Sequence, residues 1–376
     1  MDKLKCELPN FKTLFFSFLL LSTACIDSVE PEFQFRDNII FIDAYALTEV
    51  GLSSVRIEKS QLGPNNFYFN AAVAEANVKF INVEEGSEVV CAENEAGFYL
   101  PPPDFKVNSG ERWKLSIELK DGRRFESSAE QVGEAVEVEE IKAEFTEDQI
   151  NLDAYQGFVP GHLVRIDWTD PAGEENFYLW RYKSYEPLVV CQTCEQGRFR
   201  EGVCLEESNF RFRNFDYLCQ TPCWLIRRGR NVQILEDRLL DGQRIENRLI
   251  AEIPFYRKQD ILVEVQQLAL SKSTYEYFKI INDILVESSS LNAPPPAALV
   301  GNLFNVDDPK EAVLGQFTAA ASSTLSLFIE RRNLNTLVLE PESLPALEDT
   351  TDPTSIITAV CEEGANQTAV EPKGWK

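Results

Sequence analysis

The chain has 376 residues, 44% of them apolar, which is enough material for cores of ordinary domain size. It carries 61 acidic against 36 basic residues, a net charge of −25. With no basic stripe to counter that charge, a nucleic-acid partner is excluded. Past Leu21 no apolar run is long enough to span a bilayer as a helix, so contact with a membrane requires a lipid or a partner protein.

Lys3, Lys5 and Lys12 precede the short apolar run Phe15–Leu21, and Ser22, Thr23 and Ala24 put small residues in front of Cys25. This order is that of an export signal. Its end resembles a bacterial lipobox, in which the thiol is acylated and cleavage leaves Cys25 as the first mature residue. Ser22 stands where that motif usually has leucine, so ordinary secretory cleavage is the alternative. Residues 1–24 are therefore expected to be a lipoprotein signal peptide and Cys25 its lipidation site. Without the leader, 33 basic and 59 acidic residues remain, a net charge of about −26. Residues 25–38, with Asp27, Glu30, Pro31 and Glu32, read as an acidic tether. Acidic residues behind an acylated cysteine resemble the mark of surface export in Bacteroidota lipoproteins; an ordinary polar linker is the other reading.

From Ile39 the pattern has period two. Ile39–Ile42, Val55–Glu58, Ala76–Ile81 and Trp113–Leu119 are predicted strands. Turns are expected at Gly63–Asn66, Glu85–Ser87 and Asp121-Gly122, the last as a type I′ hairpin. Gly97–Tyr99, ahead of Pro101–Pro103, is expected to close an edge. The spacing predicts an Ig-like or transthyretin-like β-sandwich over 39–133.

A larger antiparallel β domain with one amphipathic helix is expected over 134–332. The block 134–144 leads into it, and Leu163–Trp168 and Phe177–Tyr182 flank the turn-rich joint Thr169–Gly173. Phe177, Tyr178, Trp180, Tyr182 and Tyr185 crowd one strand. Alternation turns half of them inward, which favours core packing over a sugar or peptide platform. Val232–Leu235, Leu249–Phe255 and Ile261–Leu268 are further strands. Tyr275, Phe278, Ile281 and Leu285 fall at helical spacing over about 273–287. Asn292–Pro296 is an extended linker, and the tail 333–376 is rich in Glu, Pro and Thr and expected to be irregular.

Cys191, Cys194, Cys204, Cys219 and Cys223 cluster, with Cys361 far downstream. Paired short spacings suit a tetrahedral zinc site, but in an exported chain disulfides are favoured. Taken together these cysteines allow three bridges in any of fifteen connectivities. Cys361 would clip the tail onto the second domain, and Cys91 is left as a buried thiol.

His162 is the single histidine, so one residue would have to serve every imidazole-dependent role. It lies in a turn leading to a strand, with no nucleophile elbow nearby and no phosphate-binding loop in the chain. The protein is accordingly read as a non-enzyme, with no residue assigned to catalysis, a cofactor or a metal.

Gly301–Pro309, Val313–Ala320, the tyrosine-bearing helix at 271–283, Asp121–Ser128 and Cys223-Trp224 together resemble a family of Bacteroidota outer-membrane lipoproteins catalogued as a domain of unknown function. Members usually have Tyr where Gln316 stands. The resemblance implies a two-domain β-rich lipoprotein, held in the outer membrane by its lipid, facing the cell surface or else the periplasm, and working beside a TonB-dependent transporter in ligand capture or complex assembly. A surface adhesion module and a metal-binding lipoprotein are the alternatives.

Overall fold

The computed structural model describes residues 38–63, 68–155, 157–206, 215–219, 221–229, 231–287, 299–340, 361, 363–364 and 366–376. The leader, tether residues 25–37 with Cys25, the turn residues 64–67 and the 292–296 linker lie outside them.

The protein is mainly β. Its first strands are β1 (Ile40–Leu47), β2 (Ser54–Leu62), β3 (Tyr68–Ala72), β4 (Asn77–Asn82), β5 (Glu88–Glu95), β6 (Phe98–Leu100), β7 (Arg112–Glu118), β8 (Arg124–Ser127) and β9 (Glu130–Gln131). Three long strands follow, β10 (Val138–Leu152), β11 (Gly157–Thr169) and β12 (Phe177–Pro187). Short ones come next: β13 (Gln192–Glu195), β14 (Gly197–Arg200), β15 (Val203–Glu206), β16 (Phe215–Leu218), β17 (Trp224–Arg228) and β18 (Gln233–Glu236). The chain continues through β19 (Arg244–Pro254), β20 (Ile261–Ala269), the helix α1 (Lys272–Glu287), β21 (Leu303–Asn305), β22 (Val313–Ile329) and β23 (Gln367–Thr368).

A 16-stranded sheet runs in the order β21-β8-β7-β4-β5-β6-β2-β1-β22-β20-β12-β17-β23, with β18, β3 and β9 paired at its sides. Strand β22 is its hinge-pin: Val313–Ala320 pairs in parallel with β1, and Ala321–Ile329 pairs antiparallel with β20. A second sheet, β10-β11-β19, packs against this second half. One core gathers Ile40, Ile42, Phe80, Leu115 and Phe125 from the N-terminal strands. Leu303, Phe317 and Ala319, from the stretch assigned to the larger domain on sequence, complete that same core. A second core lies between the sheets, around Val164, Ile166, Trp168, Tyr178, Trp180 and Val263. The third, with Tyr45, Phe177, Leu179, Leu268, Tyr275 and Phe278, seats the helix.

Several local features differ from expectation. β6 is not an edge strand but a three-residue bridge between β5 and β2. The hairpin at Asp121-Gly122 forms, but only Gly122 takes positive φ, at +90°. The Gly122 N–H bonds to the Leu119 carbonyl at 2.9 Å, as in a turn followed by a single left-handed residue, and type I′ would need both central residues there. In β12, Phe177, Tyr178 and Trp180 are all buried because cores lie on both faces of the strand, so alternation does not expose half of them. The tail is not wholly irregular: β23 pairs with β17, and Trp375 meets the rings of Trp224 and Phe328.

Candidate functional site

The sequence-predicted residues resolve into structural parts. The six cysteines form Cys191–Cys219, Cys194–Cys204 and Cys223–Cys361, and this replaces the zinc alternative for them. Cys361 does clip the tail to the body. Cys91 is a buried thiol whose pKa burial pushes up to about 12. His162 is buried on β11 against the Phe145 ring, where burial and then Arg331 push its pKa down to about 4. Cys25 lies outside the described residues.

The Gly301–Ala320 block is a close-packed joint. Gly301 and Gly315 meet so tightly that a Cβ on Gly301 would come within 1.7 Å of the Gly315 carbonyl oxygen. Gly315 itself sits at φ +111°, with Ile42's oxygen 1.8 Å from where its Cβ would be. Beside it Glu130, buried on β9, accepts hydrogen bonds from Ser271 Oγ (2.6 Å), Thr274 Oγ1 (3.1 Å) and Asn302 Nδ2 (3.0 Å). Gln316 Nε2 donates to Thr274 Oγ1 at 3.1 Å. Ser271 Oγ also accepts the Thr274 N–H at 3.2 Å, capping α1. This network pins the helix to the β22 strand.

A candidate face lies on the same sheet, beyond the helix. Residues paired in register share a face. The register sets Asp43 opposite Arg56 and Gln316, Arg181 opposite Gln266, and Lys183 opposite both Glu264 and Arg228. Hence β2, β1, β20, β12 and β17 contribute Arg56, Asp43, Glu264, Gln266, Arg181, Lys183 and Arg228 to one surface. In a flat sheet β1 and β12 would stand about 14 Å apart. Yet the Arg181 guanidinium lies 4.1 Å from the Tyr45 ring centre. Arg228 likewise feels the charges of Arg56 and Arg181, although β17 and β2 are five strands apart in sheet order. The sheet is therefore curled, and this surface is the inside of a trough.

Its chemistry is mixed. Asp43 reaches water, yet so many protein atoms surround it that its pKa is raised, with Arg181, a hydrogen bond from Tyr45 and Arg56 working in the opposite direction. Among the described residues no Lys or Arg nitrogen lies within 4.0 Å of it. Burial works against the Lys183 ammonium, but Glu264 at 2.7 Å outweighs it and raises the pKa. Burial, then the neighbouring Arg56 and Arg181 charges, lower that of Arg228. Arg181 Nε donates to Gln266 Oε1 at 3.1 Å, a neutral partner. Tyr185 and Phe98 supply half-buried aromatic surface, while Tyr45 and Tyr277 are buried beneath it in the core that seats the helix. Arg56 lies 5.1 Å from the Phe98 ring centre and Lys183 5.4 Å from that of Tyr185. Tyr277, on α1, is pushed up to about 12 by burial and the charge of Asp43. Tyr185 belongs to the aromatic run noted in the sequence, but Asp43, Arg56, Arg181, Lys183, Arg228 and Glu264 did not stand out, because each is one charged residue in a strand.

Residues 26–326 match the model of a family described as Domain of unknown function (DUF4249). The chain belongs to this family. The matched span takes in the Gly301–Gly315 joint, the helix and every trough residue named above. No curated protein and no solved structure matches the chain. As a DUF4249 member it inherits no assigned chemistry, and the trough stands on its own geometry.

Proposed function

We propose that the protein is an exported, lipid-anchored accessory of the outer membrane that captures a ligand in the trough and works beside a TonB-dependent transporter. The observation that carries this reading is the trough itself: Asp43, Arg181, Lys183 and Arg228 with Tyr185, held on paired strands. Sites on strands are rigid, and mixed polar and aromatic linings are those of binding clefts. The three disulfides suit an oxidising compartment, and the residues before Cys25 suit export and acylation. The test is a mild-detergent pull-down of tagged protein from native outer membranes, with mass spectrometry of the partners and of the mature N-terminus. A transporter barrel in near-equal amount and an acylated Cys25 support the reading. A solitary protein, or a cut away from Cys25, counts against it.

A surface adhesion role is the second reading. Its support is the bridged hairpin β14–β15, where Val203 and Leu205 are 59% and 49% exposed and Cys194–Cys204 braces the tip. Large apolar side chains held out to solvent on a stapled loop suit protein contact.

A further inference from the structure

We propose that the open edge of β10 pairs with the same edge of a second copy of this chain, joining two β10-β11-β19 sheets into one across a two-fold axis. Among the described residues β10 has a strand neighbour on one side only, β11, although it runs for 15 residues. A strand at the end of a sheet presents unpaired N–H and C=O groups to whatever comes alongside. Which groups face outward follows from the register. The Phe255 N–H bonds to the Pro160 carbonyl at 2.7 Å, so Pro160 faces β19 and, by alternation, Gly161, Leu163, Arg165 and Asp167 face β10. Their partners there are Thr146, Glu144, Lys142 and Glu140. The backbone groups of Ile141, Ala143 and Phe145 therefore point away from β11. Before this run, across a register shift, the Val138 N–H turns to Ser323 Oγ at 3.0 Å, and a second shift follows Thr146. The regular open edge is thus 140–146.

This run is self-complementary when the axis passes through Ala143. Ile141 then meets the partner's Phe145, Ala143 meets the partner's Ala143, and each pair exchanges both of its backbone hydrogen bonds, because all of these groups point outward. Between them Lys142 faces the partner's Glu144 as a non-hydrogen-bonded pair, the closer kind, with Cα atoms about 4.5 Å apart. On its own chain Lys142 holds Asp167 and Glu140 at 2.6 and 3.0 Å, and it also stands opposite Arg165, a like charge that a carboxylate on its other side would offset. Glu144 is exposed and has no ion pair among the described residues. An axis through Lys142 or Glu144 would instead set like charges face to face, so one register is selected. The apolar face of the strand agrees. Ile141 and Ala143, with Leu325 and Leu327 of β22, lie on the core between the sheets yet are only half-buried, and Phe145 is half-buried against His162 and Phe255. The partner's Ile141 and Phe145 would cover this open side.

The experiment is sedimentation velocity of the full mature protein in mild detergent over a micromolar dilution series, with hydrogen exchange followed across residues 138–152. The proposal expects a monomer–dimer equilibrium in which this segment gains protection as the dimer fills. Glu144→Lys sets a lysine against the partner's Lys142 at both symmetric places and is expected to weaken the dimer by about tenfold or more. Ala143→Pro removes an N–H that faces away from β11, so it breaks no bond within the chain and should abolish the dimer. Three results overturn the proposal. One is a monomer at every concentration, including one whose edge is already protected by the chain's own residues. Another is a dimer that neither variant weakens, which would place the contact on a different surface. The third is protection of 138–152 that appears only with a different protein bound, which would make that protein the occupant. The wild-type dilution series and its exchange pattern decide the matter even if a variant fails to fold.

Discussion

Asn302 grips the backbone of Phe317 from both directions: its Oδ1 accepts the Phe317 N–H at 2.9 Å and its Nδ2 donates to the Phe317 carbonyl at 2.8 Å. A side-chain amide thus takes the place of a strand neighbour just where β22 has run out of one on that side. The same Nδ2 reaches Glu130, so one residue ties β22 to β9 and to the cap of α1. Asn302→Ala should lower unfolding free energy by about 2 kcal/mol, because buried donors and acceptors lose their partners. Asn302→Asp should cost more, since a second carboxylate would face Glu130. Urea midpoints of the two variants check this, and an unchanged midpoint in Asn302→Asp would contradict it.

Gly315 makes the sharper steric case. At φ +111°, with Ile42's oxygen 1.8 Å from the place of a Cβ, even alanine must push β1 away from β22. That pairing brings the trough's β1 residues alongside the rest of the sheet. Gly315→Ala is expected to yield little folded protein, whereas Gly51→Ala, with open space around it, should cost only the strain of its positive φ, about 1 kcal/mol. Soluble yield and circular dichroism would compare them.

These two residues also show what a sequence can and cannot convey. The helix was legible because Tyr275, Phe278 and Ile281 repeat with the helical period, and most strands were legible because their apolar residues alternate. The partner of β1 was not. Ile40 pairs in parallel with Val313, far along the chain, and nothing local in either strand encodes that choice. The trough follows from that pairing: Arg181 and Lys183 read as polar positions in an aromatic strand until the register sets them on the face of Asp43. Cysteine usage conveyed the oxidation state but not the connectivity, since fifteen pairings share one sequence.

His162 offers a direct electrostatic test because it is the single histidine in the chain. Its folded pKa lies near 4 against an ordinary value of 6.5, so the folded state binds fewer protons than the unfolded state between those limits. Stability should therefore fall as pH drops from about 6.5 to about 4 and this contribution should level off below, a loss of about 3 kcal/mol. Above pH 6.5 the residue should add no pH dependence. The imidazole ring protons give one unambiguous NMR titration. A midpoint near 6.5 would show that the ring is not held in the apolar setting of Phe145. His162→Leu should flatten the acid side of the stability profile by the same amount.

Cys91 should be silent while the protein is folded. Its thiol is buried and its pKa is pushed up to about 12, so almost no thiolate exists at pH 8 and the little that forms is shielded. Alkylation under non-reducing conditions should modify Cys91 only after denaturant unfolds the chain, and the six bridged cysteines only after a reductant is added. Rapid labelling of Cys91 in native buffer would mean that the N-terminal core opens readily.

The bridge Cys223–Cys361 acts where secondary structure is thinnest. It closes a separation of 138 residues in sequence, and next to it the tail is held by the two-residue strand β23 and by Trp375 against Trp224 and Phe328. Such short pairing has little stability of its own, so the covalent link supplies most of the restraint. Cys361→Ser, with Cys223→Ser to avoid a stray thiol, is expected to lower unfolding free energy by about 2–5 kcal/mol. It should also expose the tail to limited proteolysis under native conditions while the body stays intact. A tail that keeps its protease resistance in the double variant would mean instead that β23 and Trp375 hold it without the bridge.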